Sequence, residues 1–150
     1  MALSGCASGS AVETRRPTQT PRIVSVEASQ ETSTVPVAAD IVTRFQLVLD
    51  EALYDENHFQ RGNQLKIKWR MAAFDEGNRA LRYLVGFGAG KGKIVVTAKF
   101  YDQQGHEVGA IKSQGSIIGG AFGGSYQSAM SVCADAIGKY ARDNFLARKR

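Results

Sequence analysis

The stretch from residue 65 to residue 71 constrains the fold more than any other part of this 150-residue chain. Its side chains alternate between apolar and basic, in the order Leu65, Lys66, Ile67, Lys68, Trp69, Arg70 and Met71. Successive side chains of a β-strand point to opposite faces, so this pattern predicts a strand with one buried face and one solvated face. The chain must therefore build a sheet and cover its apolar side.

The neighbouring segments predict the rest of an α+β fold. Strands are also expected over residues 22–27, 93–101 and 107–112, the last two joined by a turn. Apolar residues at steps of three and four predict helices over residues 38–53 and 125–147. We expect a small, mostly antiparallel sheet of about four strands, covered on one face by two helices.

A short motif at the start, Leu3-Ser4-Gly5-Cys6, is typical of the cleavage site of bacterial lipoproteins. It predicts a lipid, palmitate included, on the Cys6 thiol, and several acyl chains anchor a protein stably. Residues 1–5 would then be the remnant of a signal peptide. Residues 6–20, which are small, polar and proline-bearing, would be a lipidated and disordered tether. A single domain would follow over residues 21–150.

Too few residues precede Cys6 for a complete secretory signal, so two alternatives stay open. Either the true start lies upstream of Met1, or the match is accidental. If the lipid is present, Ala7 follows the modified residue, and a residue other than aspartate there is the default for sorting to the outer membrane. The expected location is therefore the periplasmic face of the outer membrane.

Composition limits the classes of partner. The net charge of +5 could attract anionic lipid headgroups or nucleic acid, but a mild excess of this size more often serves solubility. Aromatic residues do not share a face with the cations of residues 65–71, so we expect no nucleic-acid partner. No apolar run approaches the ~20 residues of a membrane-spanning helix.

The first glycine-rich segment is a candidate anion-binding loop. Its residues are Gly86, Gly88, Gly90, Lys91, Gly92 and Lys93. A P-loop needs a glycine where Val85 stands and a following helix, and a dinucleotide loop also needs a helix. Successive backbone amides and two lysines could still hold an anion. The alternative is an ordinary turn.

The second glycine-rich segment is a candidate oligomer contact. Gly115, Gly119 and Gly123 recur at steps of four, which in a helix would give a flat strip for close approach. Glycine disfavours helices, so a plain loop before the last helix is the alternative.

Together with the strand at 93–101, the turn after it and the closing helix, the motif Gly86-Phe87-Gly88-Ala89-Gly90 resembles a family of small bacterial envelope lipoproteins of unknown function. The resemblance covers roughly residues 20–147 and supplies no catalytic residues. The order of elements is also similar to outer-membrane assembly lipoproteins such as the curli secretion lipoprotein, by analogy of fold alone.

Enzyme chemistry is hard to assemble from this sequence. Its two histidines, His58 and His106, fall in polar turns, and Cys133 lies among apolar neighbours as a small hydrophobic residue would. We therefore expect no catalytic residue, cofactor or metal. The expected function is that of a non-enzymatic lipoprotein acting through self-association or contacts with an envelope protein. The alternative is a periplasmic or cytoplasmic module that binds an anionic ligand at residues 86–93.

Overall fold

The computed structural model describes residues 7–17, 20–75, 93–117 and 126–147. Its elements in chain order are β1 (Ala7–Arg15), β2 (Ser25–Gln30), α1 (Ala39–Asp50), a π-helical segment (Glu51–Glu56), β3 (Gln60–Arg61), β4 (Leu65–Asp75), β5 (Lys93–Tyr101), β6 (Glu107–Ile117) and α2 (Tyr126–Phe145). The strands form one sheet in the order β1-β6-β5-β4-β2-β3.

The sheet is mixed. Strands β4, β5, β6 and β1 pair antiparallel, whereas β2 runs parallel to both β3 and β4. Parallel neighbours need a long crossover, which α1 and the π-helical segment provide between β2 and β4. The α+β class and the two helices are confirmed. The prediction of about four mostly antiparallel strands is wrong, because the sheet has six strands and both kinds of pairing.

Strand β1 occupies residues for which the sequence predicts a disordered tether. It pairs with β6 along its whole length, with Val12 opposite Lys112. Its own sequence has almost no apolar alternation, so nothing within it predicts a strand. The free edge of β6 supplies the reason, since an unpaired edge leaves a row of backbone donors and acceptors open.

The core lies between the sheet and the helices. Trp69 on β4 is fully buried, its ring centroid is 4.6 Å from that of Phe45 on α1, and its indole N–H donates to Gln46 Oε1 at 2.8 Å. Under α2, the ring centroids of Phe100 and Phe145 are 5.7 Å apart. Burying a side chain of this size contributes roughly 1.5–3 kcal/mol. The predicted apolar face of β4 is therefore the centre of the core.

The predicted turn between β5 and β6 is confirmed. Asp102 Oδ1 accepts the backbone N–H of Gln104 at 3.0 Å and of His106 at 2.8 Å. Gly105 has a φ of 86°, a left-handed conformation that glycine adopts at no steric cost. Desolvation acts to raise the pKa of Asp102, but the N–H groups of His106 and Gln104 and the His106 imidazole outweigh it and lower that pKa. This turn fixes the hairpin register.

Candidate functional site

Most residues of the two glycine-rich predictions lie outside the described residues, and so does Cys6. Lys93 is described: it is exposed at the first position of β5, opposite Ser116. Gly86, Gly88, Gly90, Lys91 and Gly92 are not described, and neither are Gly119 and Gly123. The anion-binding loop and the lipid site therefore stay predictions.

Gly115 lies in β6 and not in a helix. It is buried beneath α2, where an added Cβ would be 2.5 Å from the backbone oxygen of Ala129. Gly9 on β1, opposite Gly115, also has no room for a Cβ, since Val132 of α2 occupies that space. These glycines let α2 approach the sheet closely. The close contact at Gly115 is therefore made within one chain, between β6 and α2.

The face of the sheet that points away from the helices carries a cluster of cations. Its register places Lys68 directly opposite Lys99, and Arg70 opposite Thr97, which in turn is opposite Lys112. We call this set the basic sheet face: Lys68, Arg70, Lys99 and Lys112. Like charges directly opposite each other destabilise a sheet, so this arrangement is unfavourable for the isolated domain.

Two carboxylates on this side pair with other cations. Glu27 lies 3.8 Å from Lys66, and Glu107 lies 3.5 Å from Arg15. Another carboxylate, Glu31, follows the end of β2. Within the described part of the chain, no ion pair reaches any residue of the basic sheet face.

One aromatic ring does lie among these cations. The Lys68 ammonium is 5.4 Å from the centroid of the Tyr101 ring, a cation–π distance. Burial raises the pKa of Tyr101, the carboxylates of Glu107 and Glu31 raise it further, and Arg70 opposes them. The sequence showed three cations on β4 but could not show that Lys99 and Lys112 join them, because that depends on strand register.

The opposite side of the domain carries the reverse charge. Glu51, Asp55 and Glu56 are exposed on the π-helical segment, and Asp135 is exposed on α2 beside them. We call these four residues the acidic helix patch. The Asp135 carboxylate is the main reason that the pKa of Glu56 is raised, followed by desolvation, a hydrogen bond with Asp135, and Asp55. Among the described residues no ion pair reaches these four carboxylates, so the patch concentrates negative charge.

Two cations lie near this patch. Lys139 is one turn beyond Asp135 on α2. Arg142 is held by Asn57 Oδ1 at 3.2 Å and by Asp143 at 3.1 Å. The side-chain amide of Asn57 in turn donates to the backbone oxygen of Ala52. Through Asn57, Arg142 therefore stabilises the end of the π-helical segment.

A cleft of about 430 Å³ lies between β1 and α2. The Tyr140 hydroxyl donates to Glu13 Oε1 at 3.1 Å across it, and Lys139 and Asp143 lie on its rim. Burial raises the pKa of Tyr140, and the Glu13 carboxylate raises it further. A neutral tyrosine donating to a carboxylate is a structural link between β1 and α2.

The histidines and the cysteine form no catalytic arrangement in the described part of the chain. His58 and His106 are both exposed, and among described residues no group of three metal-ligating side chains occurs. Cys133 is fully buried, and burial raises its thiol pKa to about 11, although Ser113 and Gly115 act to lower it. A thiol with that pKa is a poor nucleophile. None of the described helices is long and apolar enough to span a bilayer.

Residues 16–121 match the family described as "Domain of unknown function (DUF4410)". The chain belongs to this family. The predicted resemblance to a family of unknown function is therefore confirmed, and the family assigns no activity to any residue. The search of curated protein sequences finds no significant match.

Two solved structures of PelC from Paraburkholderia phytofirmans, both described as dodecamers, are similar in fold. A single-residue variant is 16% identical, with a TM-score of 0.57, over 95% of this chain and 100% of that chain. The other is 15% identical, with a TM-score of 0.59, over 94% and 100%. At this identity the likeness shows the fold alone.

A third solved structure is a candidate lipoprotein from Caulobacter crescentus. It is 16% identical over 75% of this chain and 84% of that chain. Its TM-score of 0.40 is too low to establish a common fold.

Proposed function

We propose that this chain is a non-enzymatic lipoprotein, anchored through Cys6 in the outer membrane and facing the periplasm, that acts as a subunit of a homo-oligomer in envelope structure or assembly. The proposal has two parts, the lipid anchor and the self-association. Each part rests on a different observation and can fail separately.

The observation that carries the anchor is the position of the Leu3-Ser4-Gly5-Cys6 motif. The motif ends at the residue immediately before β1, which starts at Ala7 and is one of the two edge strands of the described sheet. An acylated Cys6 would thus be tied directly to a folded element. The order of motif and domain matches what a lipoprotein requires, with the modified cysteine first and the folded domain after it.

Self-association is supported by the fold and by the charges on the domain. Two solved structures that are similar in fold over nearly the whole chain are dodecamers. The described surface has one strongly basic face and one strongly acidic patch, both with unpaired charges. Closed rings of identical subunits are a common way for proteins to pair two different surfaces.

The anchor is tested on protein purified from its own cells with the upstream DNA left in place. We expect an N-terminal peptide that begins at Cys6 and carries acyl chains, and a native mass that is a multiple of the chain mass. The matched control is Cys6→Ser, which should lose the lipid and leave the membrane fraction. An unmodified peptide that begins at Met1 or Ala2 would refute the anchor, and a native mass of a single chain would refute the self-association.

A further inference from the structure

We propose that the basic sheet face of one copy docks against the acidic helix patch of the next copy, in a head-to-tail contact that repeats around the oligomer. The proposal rests on the self-association proposed above and names its surfaces. The surfaces are Lys68, Arg70, Lys99 and Lys112 on one side and Glu51, Asp55, Glu56 and Asp135 on the other. The occupant of the open sheet face is thus a second copy of this chain.

Within the residues that the structure describes, none of the four cations of the basic sheet face forms an ion pair. Lys68 and Lys99 are directly opposite neighbours, and the nearby carboxylates Glu27 and Glu107 already pair with other cations. A sheet in water has no need to place two ammonium groups on opposing positions, since one uncharged residue would remove the repulsion. An anionic surface laid on this face would turn the repulsion into attraction.

The acidic helix patch has the complementary property. The carboxylates of Glu56 and Asp135 lie side by side at the surface, where their negative charges repel each other. Ammonium and guanidinium groups from another molecule would relieve this. Lysine and arginine side chains are long and flexible at their ends, so they can reach carboxylates across a wet, polar interface.

The helices cover one face of the sheet, so the acidic helix patch and the basic sheet face lie on opposite sides of the domain. A contact between two different surfaces on opposite sides of the domain is head-to-tail, and it closes into a ring or continues as a filament. Two solved structures that are similar in fold are dodecamers, a number of copies that a closed ring of such contacts can contain.

Charge complementarity of this kind favours the second copy over other anionic partners. An anionic membrane or a polyanion would use the basic sheet face but would leave the acidic helix patch without a role. A second copy uses both surfaces at once. Salt should weaken the contact, because exposed charges are screened over about 8 Å at physiological ionic strength.

The test is charge reversal on each surface of the full-length protein, read by native mass and by sedimentation at several salt concentrations. Lys68→Glu with Lys99→Glu, and separately Glu56→Lys with Asp135→Lys, should each weaken association by about 100-fold. An equimolar mixture of the two variants should form mixed oligomers, because each restores the other's missing charge. The matched control for the lysine reversal is Arg22→Glu with Arg44→Glu, which makes the same charge change at residues outside the basic sheet face and the acidic helix patch and should leave the oligomer unchanged.

The outcomes separate this inference from the proposed function. A wild-type chain that stays monomeric would refute self-association and this contact together. An oligomer that survives both reversals would refute only the contact proposed here. Lipid vesicles containing phosphatidylglycerol form a further arm. If the Lys68→Glu, Lys99→Glu variant stays oligomeric but no longer binds these vesicles, then the basic sheet face serves the membrane and our assignment is wrong.

Discussion

The two faces of strands β4 and β5 differ more than any other pair of regions in this molecule. On the face beneath the helices, Trp69 and Phe100 have no exposed surface, and every large side chain is apolar. On the other face of the same strands, Lys68 stands opposite Lys99. The backbone is shared, so the contrast arises only from alternate side chains. One face of these strands forms the core, and the other carries the basic sheet face.

The largest expected effect comes from breaking the buried face. Trp69→Ala should lower the free energy of unfolding by about 3–5 kcal/mol, because it leaves a cavity beside Phe45 and removes the donor to Gln46 Oε1. Lys68→Ala, the adjacent residue on the open face, should change it by less than about 0.5 kcal/mol. Urea unfolding of both variants measures the difference. If both variants lost a similar free energy of unfolding, the exposed Lys68 side chain would stabilise the fold as much as the buried Trp69 does.

A second prediction uses the thiol of the buried face. Burial raises the pKa of Cys133 from an ordinary 9.0 to about 11, so the folded chain holds this proton more tightly than the unfolded chain. The stability this provides is complete below about pH 9 and is lost as the pH rises toward 11. Between pH 8 and pH 10.5, the wild type should lose about 2 kcal/mol more than Cys133→Ala does.

Urea titrations in a reducing buffer at the two pH values give this difference directly. The constant cost of the smaller alanine side chain cancels when each variant is compared with itself. All other residues are the same in the two proteins, so their contributions cancel as well. A parallel decline in the two proteins would mean that the Cys133 thiol ionises freely in the folded state.

The smallest expected effect comes from the open face of the monomer. Lys68→Glu replaces repulsion with Lys99 by attraction, and should raise the free energy of unfolding by about 0.2–1 kcal/mol at low salt. Lys68→Gln removes the repulsion alone and should give a smaller gain. Thermal unfolding at chain concentrations low enough for monomers provides the measurement. A glutamate variant less stable than the glutamine variant would show that Lys99 points away from position 68.

The sequence predicts secondary structure correctly where a segment carries its own regular spacing of apolar residues. The alternation on β4 and the three-and-four spacing on α2 depend on residues within each element, so both could be placed closely. Strand β1 could not be predicted, since its residues pair only because β6 offers a free edge. The sequence predicts strand β2 but not its parallel pairing with β4, because the relative direction of these two strands is set by the crossover through α1.

The surfaces show the same division. The stripe of Lys66, Lys68 and Arg70 was visible in the sequence, where it was interpreted as a solvated face. Its extension by Lys99 and Lys112 depends on register between strands, and the acidic helix patch depends on α2 lying beside the π-helical segment. Contacts between elements distant in sequence are what a single sequence does not display.

The pairing of β1 with β6 from Ala7 onward has a consequence for diffusion in a membrane. With a lipid on Cys6, a single peptide link of about 3.8 Å would separate the anchored residue from a hydrogen-bonded strand. The domain would then be held close to the membrane surface. All copies in one leaflet would share nearly the same height and could meet only along the plane of the membrane. Much of the orientational search that slows association in free solution would be removed before two copies met.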